Sequence, residues 1–215
     1  MSEMRVSRSA AIRRRFMGVF LICCGVAMIA AAGLLSINNI VENDYAGKES
    51  EQLREELEEV VESRTAVEQF LEDIPAGEMK VETIRDNNLI GVITIPSIGI
   101  SLPVMNEWSY PNLRKTACRY SGTVEDGNLI VLAHNYSYHF GRLKELAAGD
   151  VIEFVDNFGQ AQLYTVQERE TLGGYELNAL TDTDYDLTLF TCTYGGASRV
   201  VVRCMKEEIN SIESD

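Results

Sequence analysis

Three side chains in this sequence have the chemistry of a nucleophile, a proton carrier and an anion binder. Cys192 closes the apolar run Leu187-Thr-Leu-Phe-Thr191 and precedes the turn residues Gly195-Gly196, which puts its sulfur at the mouth of a strand. A free cysteine is more often a small buried hydrophobe, so position alone does not make it reactive. His134 stands where a second apolar run, Leu129-Ile-Val-Leu132, gives way to a polar, aromatic loop. The chain has 2 histidines, so imidazole chemistry belongs to His134 or to His139. Arg199 lies just beyond the glycine turn from Cys192, the spacing of facing positions on two antiparallel strands. Arg203 shares its strand parity and is the competing guanidinium. Taken singly, each has an ordinary structural alternative: a buried thiol, a core imidazole, a solvated edge arginine.

Together they suit acyl transfer. A thiol with a pKa of about 8.5 is mostly protonated at neutral pH. A neighbouring imidazolium stabilises the thiolate and can return the proton to a departing amine. A guanidinium is permanently charged and donates several hydrogen bonds, which fits the oxyanion of a tetrahedral intermediate. Of the two imidazoles His134 is expected to matter, and substitution of His139 to be mild.

The elements that must hold these groups are strands. From Leu89 the hydrophobic period is two, with strands expected at 90–95, 100–104, 129–132, 151–155, 162–166, 187–191 and 199–203. Turn signals separate them, among them Pro96-Ser97, Gly149-Asp150 and Gly195-Gly196. Short helical pieces fit 138–147 and 176–180. Seven or eight short strands in so short a stretch give an all-β domain, a closed barrel or a sandwich, over residues 81–208. A short tail, 209–215, follows.

Composition excludes several classes. With 46% hydrophobic and 24% charged residues the chain is globular. A net charge of −14 argues against wholesale nucleic-acid binding, which needs a cationic face. The 5 cysteines include no CxxC or histidine-paired spacing, so neither a zinc ribbon nor a full disulfide framework is expected. Cys118 and Cys204 would pair only if their strands meet. No metal or cofactor is expected.

Charge is divided unevenly. Residues 1–15, a basic tail, hold 5 Arg against Glu3, and residues 16–41 carry no charged side chain. The 20 apolar residues of 16–35 span roughly 30 Å as a helix, enough to cross a bilayer. Arginines before this segment and acidic residues after it place the N-terminus in the cytoplasm and the rest outside. An anchor over 16–37 is the reading adopted; a cleaved signal peptide, with Ala30-Ala31-Ala32 as the small residues, is the rival. An acidic helical stalk, 38–80, follows. Leu53, Leu57, Val60, Val67 and Leu71 form its apolar stripe, and Ile74-Pro75-Ala76-Gly77 ends it. That stripe serves either packing of one edge on the domain or self-association.

The motifs, in order, resemble those of the sortases, membrane-anchored cysteine transpeptidases of Gram-positive bacteria. Thr188-Leu189-Phe190-Thr191-Cys192 fits the family's TLxTC signature, and Arg199 enters the next strand as the family's arginine does. Gly127-Asn128-Leu-Ile-Val-Leu-Ala-His134-Asn135 is similar to the stretch that carries the family's histidine, with Ala133 where a glycine often stands. Tyr120-Ser-Gly122-Thr123, Phe140-Gly-Arg-Leu143, Gly149-Asp150 and Ile93-Thr-Ile95-Pro96 add to the likeness, which covers residues 85–206. The segment between the 162–172 strand and the Cys192 strand lacks the long helical insertion of class B members, so a class D-like or unassigned subclass is implied.

What the resemblance implies is a closed seven- or eight-stranded barrel with short helices, behind a transmembrane helix and a stalk. It implies cleavage of an LPxTG-like sorting signal between Thr and Gly through a Cys192 thioester, with His134 as general acid/base and Arg199 stabilising the oxyanion. Ala133 and Thr191 are expected to touch substrate. The partners implied are surface proteins carrying that signal and an amine from a cell-wall precursor or a pilin lysine. Two other classes stay open: a hydrolytic cysteine peptidase on the same scaffold, and a membrane-anchored binding module in which Cys192 is merely packed. A papain-like enzyme is disfavoured, because there the nucleophile precedes the histidine.

Overall fold

The computed structural model describes residues 3–63, 78–176 and 178–207, with side chains from residue 17 onward in its long first helix. That helix, α1, runs Glu3–Glu62. The chain divides into two units, Met1–Glu42 and Asn43–Asp215. In the first unit the helix presents apolar side chains outward, Ile29 at 75% exposure and Leu35 at 73%. By length and composition it can cross a membrane.

Among the described residues, the second unit holds nine strands: β1 Glu82–Ile84, β2 Asn87–Ile95, β3 Ile100–Met105, β4 Ala117–Ser121, β5 Leu129–Leu132, β6 Val151–Asp156, β7 Ala161–Gly173, β8 Leu187–Cys192 and β9 Ser198–Lys206. Eight of them close into a barrel in the order β2-β3-β4-β5-β8-β9-β7-β6, with β6 pairing back onto β2. Closure removes the unpaired edges of an open sheet. The β3–β4 and β5–β8 pairs are parallel and the other ring pairs antiparallel. β1 is a short flap on β2, joined by a two-residue turn in which Arg85 and Asp86 take φ of 47° and 62°, as a type I′ hairpin requires.

Alternation along the strands fills the barrel. Ile93, Leu102, Val131, Phe154, Leu189 and Val202 point inward and are buried. A 3-10 helix, Phe140–Glu145, closes one end with Phe140 and Leu143, both fully buried. Two further short helices, α2 (Tyr110–Leu113) and α3 (Asn178–Thr181), lie in the connections. Leu53 and Leu57 of α1 pack with Ile84, Leu89, Val92 and Met105 in a second cluster, so this part of the stripe is used against the barrel. The expected terminator 74–77 and the stripe residues Val67 and Leu71 lie outside the described residues.

The barrel is the expected fold. Two strands were not expected, β1 and β4, and β7 is much longer than its apolar stretch at 162–166. Cys118 and Cys204 are both free and buried, on the non-adjacent strands β4 and β9 and in separate clusters, so they do not pair.

Candidate active site

Neighbouring strands β5, β8 and β9, with β8 in the middle, carry the site. β8 and β9 pair so that Cys192 stands opposite Arg199. The turn between them is fixed by Thr193, whose N–H donates to the Ser198 carbonyl at 2.8 Å, and by Gly195 and Gly196 at φ of 85° and 72°. By alternation the Cys192–Arg199 pair is then non-hydrogen-bonded, the closer kind, with Cα atoms about 4.5 Å apart and both side chains on one face. β5 runs parallel to β8 with Leu132 opposite Phe190. Continuing that register two residues brings His134 level with Cys192. Cys192, Arg199 and His134 thus stand at the same end of three neighbouring strands, at one rim of the barrel.

Exposure differs as the chemistry requires. Cys192 is exposed, while His134 and Arg199 are half-buried. Arg199 Nη1 donates to the Gly174 carbonyl at 2.9 Å, which holds the guanidinium against the end of β7. Arg203, the competitor, is 2% exposed. Its Nε binds Glu170 at 2.9 Å, Nη1 reaches Thr188 Oγ1 and the Leu180 carbonyl, and Nη2 reaches the Ala179 carbonyl. It is a clasp for α3 and is spent on structure.

Thr191 and Ala133 are buried, and Thr191 Oγ1 donates to the Ala133 carbonyl at 2.8 Å. That bond ties β5 to β8 directly beneath the site. Ala133 keeps an ordinary negative φ.

His134 opens a tight loop. Its carbonyl accepts from the Phe140 N–H at 3.0 Å, and its ring lies 4.8 Å from that of Tyr136. Gly141 lets the loop close, since a Cβ there would stand 2.6 Å from the Asn135 and Tyr136 carbonyls. His139, expected to be of little consequence, is fully buried, its ring 5.5 Å from Tyr136. Burial lowers its pKa to about 4, although the Ala46 and Lys115 carbonyls favour the protonated form. Its nitrogens make no hydrogen bond of ordinary geometry.

On the outer side of the barrel, Ile130, Leu180, Phe190 and Val201 form a buried apolar cluster. Tyr120 covers Phe190 edge-on at 5.5 Å, and the exposed Trp108 stacks on Tyr120 at 6.3 Å. At the rim, a cavity of about 410 Å³ opens beside Cys192, walled by Asn135, Arg142, Glu145, Thr193 and Tyr194. The buried cluster packs under the same face as the thiol: Phe190 and Cys192 are two residues apart on β8 and share a face.

Among the described residues no group of three or more His, Cys, Asp or Glu is placed to hold a metal ion.

Comparison with known proteins agrees with this geometry. No curated protein matches the chain. Several sortase structures share its fold. Clostridium perfringens sortase C, solved with the C-terminal cell wall sorting motif, is 22% identical over 74% of this chain and 100% of its own, at a TM-score of 0.59. Streptococcus pneumoniae sortase C is 19% identical over 74% and 98%, also at 0.59. A Clostridium perfringens sortase D5 transpeptidase is 20% identical over 75% and 99%, again at 0.59. The family model for the sortase domain matches residues 93–207, more than half of the sequence and all three site strands, so the chain belongs to the sortase family.

Proposed function

We propose that this protein is a membrane-anchored cysteine transpeptidase in which Cys192 is the nucleophile, His134 the general acid/base and Arg199 the oxyanion donor. The observation that carries the reading is that the three residues stand at one end of the neighbouring strands β5, β8 and β9, with the exposed Cys192 on the middle one. The Cys192 thiolate adds to the carbonyl carbon of a sorting-signal threonine, and the oxyanion is held by Arg199. The C–N bond then breaks, and the His134 imidazolium protonates the leaving glycine amine. An incoming amine attacks the thioester, gives its proton to His134 and releases the thiolate.

The substrate proposed is an LPxTG-like sorting signal, received at the rim beside the exposed Cys192. The acceptor proposed is an amine from a cell-wall precursor or a pilin lysine. Two solved relatives support this class of partner: one holds a sorting motif and one is described for pilin substrate specificity. The helix within 16–37 anchors the enzyme beside substrates tethered at the same surface, which raises encounter probability without tighter binding. In this reading the barrel lies outside the cell and the N-terminus in the cytoplasm.

The test incubates the full chain in detergent micelles with a small library of LPxTG-like peptides and amines, read by mass spectrometry. A ligated product is expected. Hydrolysed peptide alone, with every amine supplied, makes the protein a peptidase. No thioester and no product, with Cys192 alkylation unaffected by any peptide, makes it a binding module.

A further inference from the structure

The loop that carries His134 rests at its tip on α1. The Asn43 side-chain oxygen accepts from both the N–H and the hydroxyl of Ser137, at 2.8 and 3.0 Å. Four residues on, Gly47 meets the root of Tyr138: a Cβ built there would lie 2.8 Å from Cγ, 2.9 Å from Cδ2 and 3.2 Å from Cβ of that residue. Between them Ala46 is fully buried, and its carbonyl faces the buried His139. Ser50 is 4% exposed and its hydroxyl is turned back onto the Gly47 carbonyl. Asn43, Ala46 and Ser50 continue towards the N-terminus the stripe that Leu53 and Leu57 begin, at spacings of three and four. The stripe narrows from leucine to small residues where the loop arrives, which lets the helix backbone approach closely.

From this contact a short chain of groups leads to the catalytic imidazole. The Tyr136 ring lies between those of His139 and His134, 5.5 Å from one and 4.8 Å from the other. The Gly141 and His139 N–H groups both donate to the Tyr136 carbonyl, at 2.9 and 3.0 Å. The loop is therefore a small, closed unit whose outer corner, Ser137–His139, is seated on α1.

We propose that the Asn43–Ser50 turn pair of α1 is a positioning element of the active site, acting through the 135–139 loop on the orientation of His134, with Asn43 and Gly47 as the residues that hold it. This rests on the role proposed above for His134. Asn43 supplies one acceptor to two donors of Ser137, the N–H and the hydroxyl. Gly47 is demanded by space, since its φ is that of an ordinary helix and only the missing Cβ distinguishes it. The clash that a Cβ would create falls first on Tyr138 Cγ and Cδ2, with Cβ at 3.2 Å, so the Tyr138 side chain must turn or the loop must shift. A catalytic group displaced by about 1 Å loses on the order of a hundredfold in rate.

Two substitutions test this without weakening the helix. Asn43→Ala and Gly47→Ala each raise helix propensity, the second by about 1 kcal/mol. Both are made in the full chain in micelles and read in two ways. Turnover is measured with the peptide and amine that the wild-type enzyme ligates, and the imidazole signals are followed by NMR, two histidines giving two ring systems to assign. The expected result is a fall in kcat of about ten- to a hundredfold with KM within about twofold, and displaced His134 ring signals. Asn43→Asp, which keeps the acceptor oxygen, restores kcat, and Tyr138→Ala added to Gly47→Ala restores it in part. Unchanged kcat and unmoved His134 signals in both alanine variants overturn the proposal. So does a loss that Asn43→Asp shares in full. If His134→Ala itself keeps activity, the role given to the imidazole fails, and the NMR displacement still decides whether α1 positions the loop. Ser137→Ala, which removes one of the two donors, is the milder variant should Asn43→Ala not fold, with a smaller displacement of the same signals expected.

Discussion

Cys192 carries little of the fold. It is exposed at the end of β8, so Cys192→Ala forfeits few contacts while removing the proposed nucleophile. The expected outcome is complete loss of turnover with an unchanged melting temperature; retained turnover would refute the assignment. Cys118 and Cys204 behave in the opposite way. Burial pushes both thiols up to about 12, so at neutral pH they are protonated as well as inaccessible. An alkylating reagent should therefore modify Cys192 in the native protein and reach Cys118 and Cys204 only after denaturation, as peptide mapping will show. The two arginines divide in the same manner. Arg199→Lys keeps the charge and loses the planar fork, so kcat is expected to fall well beyond any change in KM. Arg203→Leu strands the carbonyls of Ala179 and Leu180 and the Thr188 hydroxyl, so it should cost about 2–3 kcal/mol of stability. If Arg203→Leu is the one that lowers kcat in a fully folded protein, the two roles are exchanged.

At the scale of elements, the sequence is legible where the physical signal is periodicity. β5 is found to the residue and β2, β3, β6, β8 and β9 to within a few, because each alternates apolar and polar positions or is buried on both faces. β1 is too short to show a period. β4 reads Ala-Cys-Arg-Tyr-Ser, with no apolar period, and its Arg119 donates to the Asn106 carbonyl and side chain and to the Gly122 carbonyl. The three residues of the proposed site are readable as candidates because they fall at strand ends beside turn residues. The seat of the His134 loop is not, because asparagine, alanine, glycine and serine on a helix carry no hydrophobic signal. The same junction predicts a pH dependence. His139 titrates near 4 in the fold and, once unfolded, near the ordinary value of about 6.5. Between these values the unfolded chain binds the additional proton, so stability is full above about 6.5 and falls as the pH drops towards 4. The loss is on the order of 3 kcal/mol. His139→Leu, of similar bulk and without a titrating group, should lose less melting temperature between pH 7.5 and 4.5 than the wild type; parallel profiles would mean that the imidazole is already solvated. A buried ring packed on Tyr136 also makes His139→Ala a cavity mutation, which bears on stability rather than on the ranking of the two imidazoles in turnover.

For the whole molecule the decisive quantity is where charge lies along the chain. The total of −14 conceals 5 arginines within residues 1–15 and 12 acidic against 3 basic residues within 42–73, on either side of an uncharged stretch. Orientation in a membrane follows the lysines and arginines close to the span, with acidic residues contributing little, so Arg13, Arg14 and Arg15 are the determinants. Cys192 is a built-in reporter of the result: it is exposed, whereas Cys118 and Cys204 are buried and Cys23 and Cys24 lie within the apolar stretch. In intact cells a membrane-impermeant maleimide is expected to label Cys192 of the wild-type protein without lysis. Replacing Arg13, Arg14 and Arg15 by glutamine should lower the labelled fraction, because in the proposed orientation these charges hold the tail on the cytoplasmic side. Labelling that appears only after lysis would put the barrel inside the cell, away from any wall precursor, and the anchored transpeptidase reading would fall with it. A labelled protein lacking its first thirty or so residues would instead identify the apolar stretch as a cleaved signal.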